Sequence, residues 1–218
     1  MQEYLDYFAS FVEQGYDIVH LNLGAALSSA HVHAVEAARQ LGHVYAIDSR
    51  NLSTGIGQLV IRAGRMIEQG MGAEEVARHV EELRGHVHSS FVLDTMDFLA
   101  AGGRCPQLLA YVGKMVKFRP SIVVDGSMSL GKLYRGKPAR VLPRYAADTL
   151  GRYHDLELDD VFITHSGIEG QLVELVRAAI EEHAHFERIH VTQASCTISS
   201  HCGPNTLGIL FTTKSACA

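Results

Sequence analysis

Apolar positions along the chain alternate between two periods. Tyr4, Phe8, Phe11 and Val12 recur at the spacing of one helix face, and Gly15 closes that pattern. The run YDIVHLNL that follows reads as a strand. Residues 28–41 return to helical spacing, with Ser28 or Ser29 placed as N-cap, because a short hydroxyl bonds the free N–H groups of a first turn. HVYAID is the next strand, ending in Asp48-Ser49, and helices over 53–69 and 73–84, separated by Gly70 and Gly72, complete a first unit.

HVHSSFVL begins a second unit with a different rhythm. Short helices are expected over 95–101 and 106–114, around the turn Gly102-Gly103-Arg104. KFRPSIVVDGSMSLGKLYRGK reads as two strands joined at Asp125-Gly126, since the Asp-Gly dipeptide is a hairpin signal. A helix over 137–153, the strand DVFITHSG and an amphipathic helix over 168–184 through Leu172, Leu175, Val176 and Ile180 come next; RIHVTQA and TLGILFTT supply the last strands. The pattern predicts an α/β protein of two α/β domains. The first, 1–85, has a mainly parallel sheet, and the second, 86–218, a mixed one, because a hairpin forces an antiparallel pair into it. No Pro- or Ser-rich linker stands near residue 85, which predicts that the two pack tightly.

Composition narrows the functional classes. With 218 residues and 47% hydrophobic content, there is enough apolar material for one large core or two small ones. A formal net charge of −5 without a Lys/Arg cluster leaves no footprint for nucleic acid or an anionic membrane surface. No apolar run reaches about 18 residues, and the N-terminal residues lack a signal peptide's basic start and apolar run. A cytoplasmic protein without membrane insertion is expected. Its four cysteines, Cys105, Cys196, Cys202 and Cys217, have no framework spacing and read as reduced thiols.

Several residues are candidates for chemistry. Cys196, His201 and Cys202, joined by His190, form the best local metal-ligand cluster, but zinc ligands usually stand about two to four residues apart and the adjacent His201-Cys202 pair does not. A Cys202 nucleophile needs a partner that stabilises the thiolate. Gly55-Ile56-Gly57 begins like a dinucleotide loop, yet Val60 stands where a third glycine belongs, and no G-x-x-x-x-G-K-[ST] occurs. Ser28-Ser29 stand where a strand ends and a helix begins, so their hydroxyls and the first N–H groups form either an anion pocket or a plain cap. Arg104, after two glycines, is suited to a carboxylate or to an acidic neighbour. His165, at the end of the strand DVFIT, is a structural histidine or a site residue.

Five stretches, taken in order, resemble the DegV family of bacterial fatty-acid-binding proteins, relatives of the substrate-binding subunit of dihydroxyacetone kinases. LNLGAALSSAHVHAVEAA is similar to the family's LSGTYQSA motif and HVYAIDSRNLSTGIG to its DS-x-x-x-S-x-G-x-G segment. DTMDFLAAGGRC matches the L-x-x-L-x-x-GGRI turn, KFRPSIVVDGSMSLGKLYRGKPA the KP-I-x-x-x-DG strand pair with its RG dipeptide, and SSHCGPNTLGILF the H-x-GPG-x-x-G terminus.

The resemblance implies a two-domain DegV-like α/β fold that encloses one long-chain fatty acid, with the tail buried and the carboxylate at the domain junction. The serine of LSGT falls on Ser28, followed by Ser29, and the histidine of HxGPG on His201. It further implies a carrier with no cofactor, rather than an enzyme, which presents its acid to a separate ATP-dependent fatty acid kinase that makes an acyl phosphate. Arg135 of the RG dipeptide is then a candidate contact for that kinase, and Arg104 structural or supporting. A transient membrane contact during delivery is compatible with this role. An alternative keeps a metal-dependent hydrolase built on His165, His190 and His201, or a carrier of another small carboxylate or phosphate.

Departures from the family pattern are specific. The family's early V-D-S-x-x-D-L strand and its TSQP threonine have no counterpart, and Met1-Gln2-Glu3-Tyr4 aligns just beyond that threonine. Ser29, Ala30 and His31 replace the glycine, threonine and tyrosine of LSGTY. GPG becomes Gly203-Pro204-Asn205, where asparagine tolerates a left-handed turn.

Overall fold

A computed structural model describes residues 1–103 and 118–214. The chain divides into two compact units, Met1–Val87 and His88–Ala218. The first is built from α1 (Gln2–Val12), β1 (Ile18–Asn22), α2 (Ala30–Leu41), β2 (Val44–Asp48), α3 (Ser53–Glu68) and α4 (Ala73–Leu83). β1 and β2 pair in parallel, in register from Ile18↔Val44 to Asn22↔Asp48.

Strand alternation then sorts the side chains onto two covered faces. Ile18, Val44 and Ala46 pack with Phe8 of α1 and with Ala34 and Ala37 of α2. Val19, Leu21, Tyr45 and Ile47 pack on the other side with Leu59 and Ala63 of α3 and with Val76, Ala77 and Val80 of α4. Leu59, Val76 and Val80 are fully buried, and each such side chain contributes about 1.5–3 kcal/mol. The expected elements of this unit all form, and their ends differ from expectation by a residue or two.

The second unit contains β3 (Val87–Val92), whose first residue closes the first unit, then α5 (Asp97–Gly102), β4 (Arg119–Asp125), β5 (Ser127–Tyr134) and α6 (Pro138–Leu150). β6 (Leu156–His165), α7 (Gly170–His183), β7 (Arg188–Gln193), α8 (Cys196–Cys202) and β8 (Leu207–Thr213) follow. Its six strands run in the order β5-β4-β3-β8-β6-β7. β3–β4, β4–β5 and β6–β8 are antiparallel and β6–β7 is parallel, so the sheet is mixed, as the Asp-Gly hairpin requires.

One face of this sheet is covered by α6 and α7. Val141, Leu142, Tyr145 and Leu150 join Val173, Val176 and Ile180 against Val161, Ile163, Leu207, Ile209 and Phe211. The Tyr145 hydroxyl bonds Ser90 Oγ at 2.7 Å and accepts from the Ile209 N–H at 3.3 Å, which ties α6 to β3 and β8. Two differences from expectation stand out. β6 starts at Leu156, before the DVFIT run, and α8 forms over residues for which no element was expected. The expected helix over 106–114 lies outside the described residues. Among the described residues no helix is long and apolar enough to cross a membrane.

Candidate functional site

In the first unit, candidate chemistry gathers beyond the carboxyl ends of β1 and β2. There the two strand exits are bound to each other: Gly24 N–H donates to Asn51 O at 2.8 Å, and Asp48 Oδ1 accepts from the N–H groups of Ala25 at 3.0 Å and Arg50 at 2.9 Å. A Cβ at Gly24 would lie 3.2 Å from the backbone of both Arg50 and Asn51, tight enough to push the exits apart. Ser49 and Asn51 are buried and bonded to one another, which ties this crossing together. Asp48 and Ser49, which the sequence showed as a strand end and as the start of the DS segment, thus hold the two strand exits together at the approach to α2.

At that approach the two serines behave differently. Ser29 occupies the N-cap position of α2 with helical backbone angles, makes no side-chain cap bond, and is exposed. Half-buried Ser28 accepts from the Ala30 N–H at 3.2 Å through its Oγ. An accepting hydroxyl keeps its own hydrogen for donation, so Ser28 Oγ–H and the remaining first-turn N–H groups of α2 can serve one anion.

Beside them stands a polar cluster that sequence reasoning missed. Buried Asn22 bridges His20 Nε2 at 2.9 Å and Tyr4 Oη at 3.3 Å through its amide nitrogen, and His31 Nδ1 at 3.3 Å through its oxygen. Asn22 Nδ2 can only donate, so His20 Nε2 accepts and the ring is neutral. Burial, reinforced by the nearby His31, pushes the His20 pKa below its ordinary value. His31, standing where the family motif has tyrosine, and Asn22, near the end of the expected strand, were both visible in the sequence, but spacing alone does not reveal the bridge. A groove of about 560 Å³ lined by Tyr7, Phe8, Phe11, Tyr16 and Ile18 runs beside β1 and α1, and it takes in none of the predicted site residues.

In the second unit, His201 lies in the last turn of α8, and the turn after it is strongly anchored. Ser195 Oγ accepts from the Ile198 N–H at 3.4 Å to start the helix. Gly203 ends it at φ 77°, and Asn205 follows at φ 59°, so asparagine does adopt the left-handed conformation that the replaced glycine would allow. Ser166, just past β6, donates its hydroxyl to Gly203 O and accepts from the Thr206 N–H at 3.2 Å. His201 is half-buried, and its imidazole lies against Gly102 at the end of α5. The Gly-Gly turn and the histidine, distant in sequence, are therefore neighbours.

The remaining candidates take other positions. His190 Nε2 lies 2.8 Å from Oδ1 of buried Asp160 and stacks on Phe162 with ring centroids 4.6 Å apart, while His165 Nδ1 accepts from the Ile168 N–H at 3.3 Å. Among the described residues no group of three or more His, Cys, Asp or Glu could hold a metal ion, so the hydrolase triad of His165, His190 and His201 is not assembled. Cys202 is buried, and burial pushes its thiol pKa up, which opposes the thiolate that a nucleophile needs. Arg135 is exposed in the connection between β5 and α6. Arg104 lies outside the described residues.

With this geometry in view, comparison with known proteins is decisive at the family level. The model of the uncharacterised-protein family DegV matches residues 1–214. The chain belongs to the DegV family. A DegV domain-containing protein of Clostridium acetobutylicum is 27% identical over 215 residues, which is 96% of this chain and 74% of that protein. The structure of a fatty-acid-binding DegV family protein from Thermus thermophilus superposes with a TM-score of 0.86 at 23% identity, covering 97% of this chain and 76% of that one. A DegV family protein from Eubacterium eligens, loaded with heptadecanoic acid, superposes at 0.82 with 17% identity, covering 97% and 76%. These DegV structures share the α/β architecture described above.

Proposed function

We propose that this DegV protein binds one long-chain fatty acid, holds its carboxylate with Ser28, the start of α2 and His201, and delivers it to a separate ATP-dependent fatty acid kinase. The observation that carries the reading is family membership over residues 1–214, together with fatty acids named in relatives of the same fold. Physical chemistry supports the head-group assignment. A carboxylate removed from water must be hydrogen-bonded or neutralised, and a hydroxyl at a helix start together with an imidazole does both. On this reading the chain is a cytoplasmic carrier and the chemistry belongs to its partner, for which exposed Arg135 is the proposed contact.

The test is direct. Protein purified under native conditions is analysed by native mass spectrometry and lipid extraction, and the stripped protein is titrated with palmitate. One acyl chain per protein and saturable palmitate binding are expected; absence of both overturns the reading, and binding of only short carboxylates or phosphate replaces it with a different carrier. For the delivery step, a purified fatty acid kinase with ATP should form acyl phosphate from the bound acid, and Arg135→Glu should slow that transfer without changing palmitate affinity.

A further inference from the structure

Two glycines stand where α5 and α8 meet. A Cβ added at Gly102, the last residue of α5, would lie 2.2 Å from His201 Nδ1 and 3.0 Å from Cε1. One added at Gly203, the residue after α8, would lie 2.4 Å from Cδ2 of Phe98, which α5 carries. The two short helices thus interlock reciprocally: a glycine at the end of α5 and one just past α8 each receive a ring from the other helix.

The two glycines are not equivalent. Gly203 has φ 77°, so its backbone already favours glycine. Gly102 is helical and not among the positive-φ residues, so alanine would suit its backbone better; what excludes a side chain there is the imidazole. The contact also orients the ring. Nδ1, Cε1 and Cγ are the atoms nearest Gly102, so the Nδ1 edge faces α5 and Nε2 is left on the other side.

We infer that Gly102 and Phe98 are positioning residues that aim Nε2 of His201 at the ligand head group, with α5 serving as its support. The inference rests on the fatty-acid reading for the identity of the ligand, but not for the contact itself.

The experiment uses the full chain and compares Gly102→Ala, Phe98→Ala, His201→Ala and the two double variants containing His201→Ala. Palmitate affinity is measured by calorimetry on stripped protein, and the His201 ring signals are followed by NMR without ligand. Gly102→Ala is expected to move the His201 ring resonances and to weaken palmitate about tenfold, the equivalent of one lost hydrogen bond to a charged group. It should add nothing once His201 is alanine, because it acts through that ring. Phe98 is 42% exposed, so Phe98→Ala removes the second half of the interlock at little cost to the core and should behave in the same way even if Gly102→Ala does not fold. Unchanged ring resonances in either variant, or an equal loss of affinity in the His201→Ala background, overturns the inference. Wild-type protein that fails to bind palmitate overturns the fatty-acid reading instead, and the ring resonances still decide the positioning claim.

Discussion

Ser28 and Ser29 are adjacent, chemically identical and offered by the sequence as alternatives, so replacing each by alanine separates a head-group contact from a helix cap. Ser28 Oγ accepts from the Ala30 N–H at 3.2 Å, whereas Ser29 makes no cap bond and is exposed. Removing the Ser28 hydroxyl costs the helix a cap-like bond, about 0.5–2 kcal/mol in general, and the lower end applies because half-buried Ser28 lets water replace it. If the same hydroxyl donates to a bound carboxylate, its loss costs about 1.5–3 kcal/mol of binding, or roughly 10- to 150-fold in Kd. Ser29→Ala should change stability by no more than about 0.5 kcal/mol and affinity by less than about twofold, as exposed substitutions do. Calorimetric palmitate titration together with urea unfolding of stripped protein reads both quantities. A Ser28→Ala variant that binds like the wild type, or a Ser29→Ala variant that loses more affinity than Ser28→Ala, would refute the assignment.

Two further predictions concern the scaffold. Tyr145→Phe removes the bonds of its hydroxyl to Ser90 Oγ and from the Ile209 N–H inside the core, so unfolding measurements should show a loss of about 1–3 kcal/mol, reduced when Ser90 is already alanine; a neutral Tyr145→Phe would mean that the ring only fills space. His20 predicts a pH dependence with a definite sign. Its pKa is lowered from 6.5 by burial and by His31, so the fold disfavours the charged ring: stability is full above pH 6.5 and falls as the pH drops below it toward the folded value. The ring faces Tyr4 and Phe8 of α1, Asn22 and His31, so no acid from those contacts offsets the charge. His20→Gln should flatten that dependence in denaturation curves between pH 7 and 5, and parallel curves for both proteins would rule the explanation out.

Much of the fold was legible because it follows from local period and punctuation. The alternation Ile18, Val19, His20, Leu21 marked a strand covered on two faces, and Asp125-Gly126 forced the antiparallel pair that makes the second sheet mixed. α8 was missed because the glycine, proline and asparagine at residues 203–205 masked a helix of only seven residues, although Ser195 as cap and Gly203 as stop were both visible. The start of β6 at Leu156 was missed for a different reason. LELDD carries charges that look like a loop, and it is the pairing of Leu156 and Glu157 with Thr213 and Thr212 of β8, with that of Asp160 and Arg188 of β7 further along, that makes it strand.

By itself, then, the sequence determined the class of fold, the order of its elements, the family, and the residue types available at the ends of β1 and α8. The tertiary structure decided what each of those residues does. It gave Ser28 a cap bond and left Ser29 without one, joined His20, His31 and Tyr4 through Asn22, bound His190 to Asp160, and set His201 against Gly102. The physical reason is one of range. Secondary structure reflects periodicities of two to four residues, whereas a hydrogen-bond partner or a close ring contact is chosen by segments far apart along the chain, and that choice exists only once the strands have paired and the helices have packed.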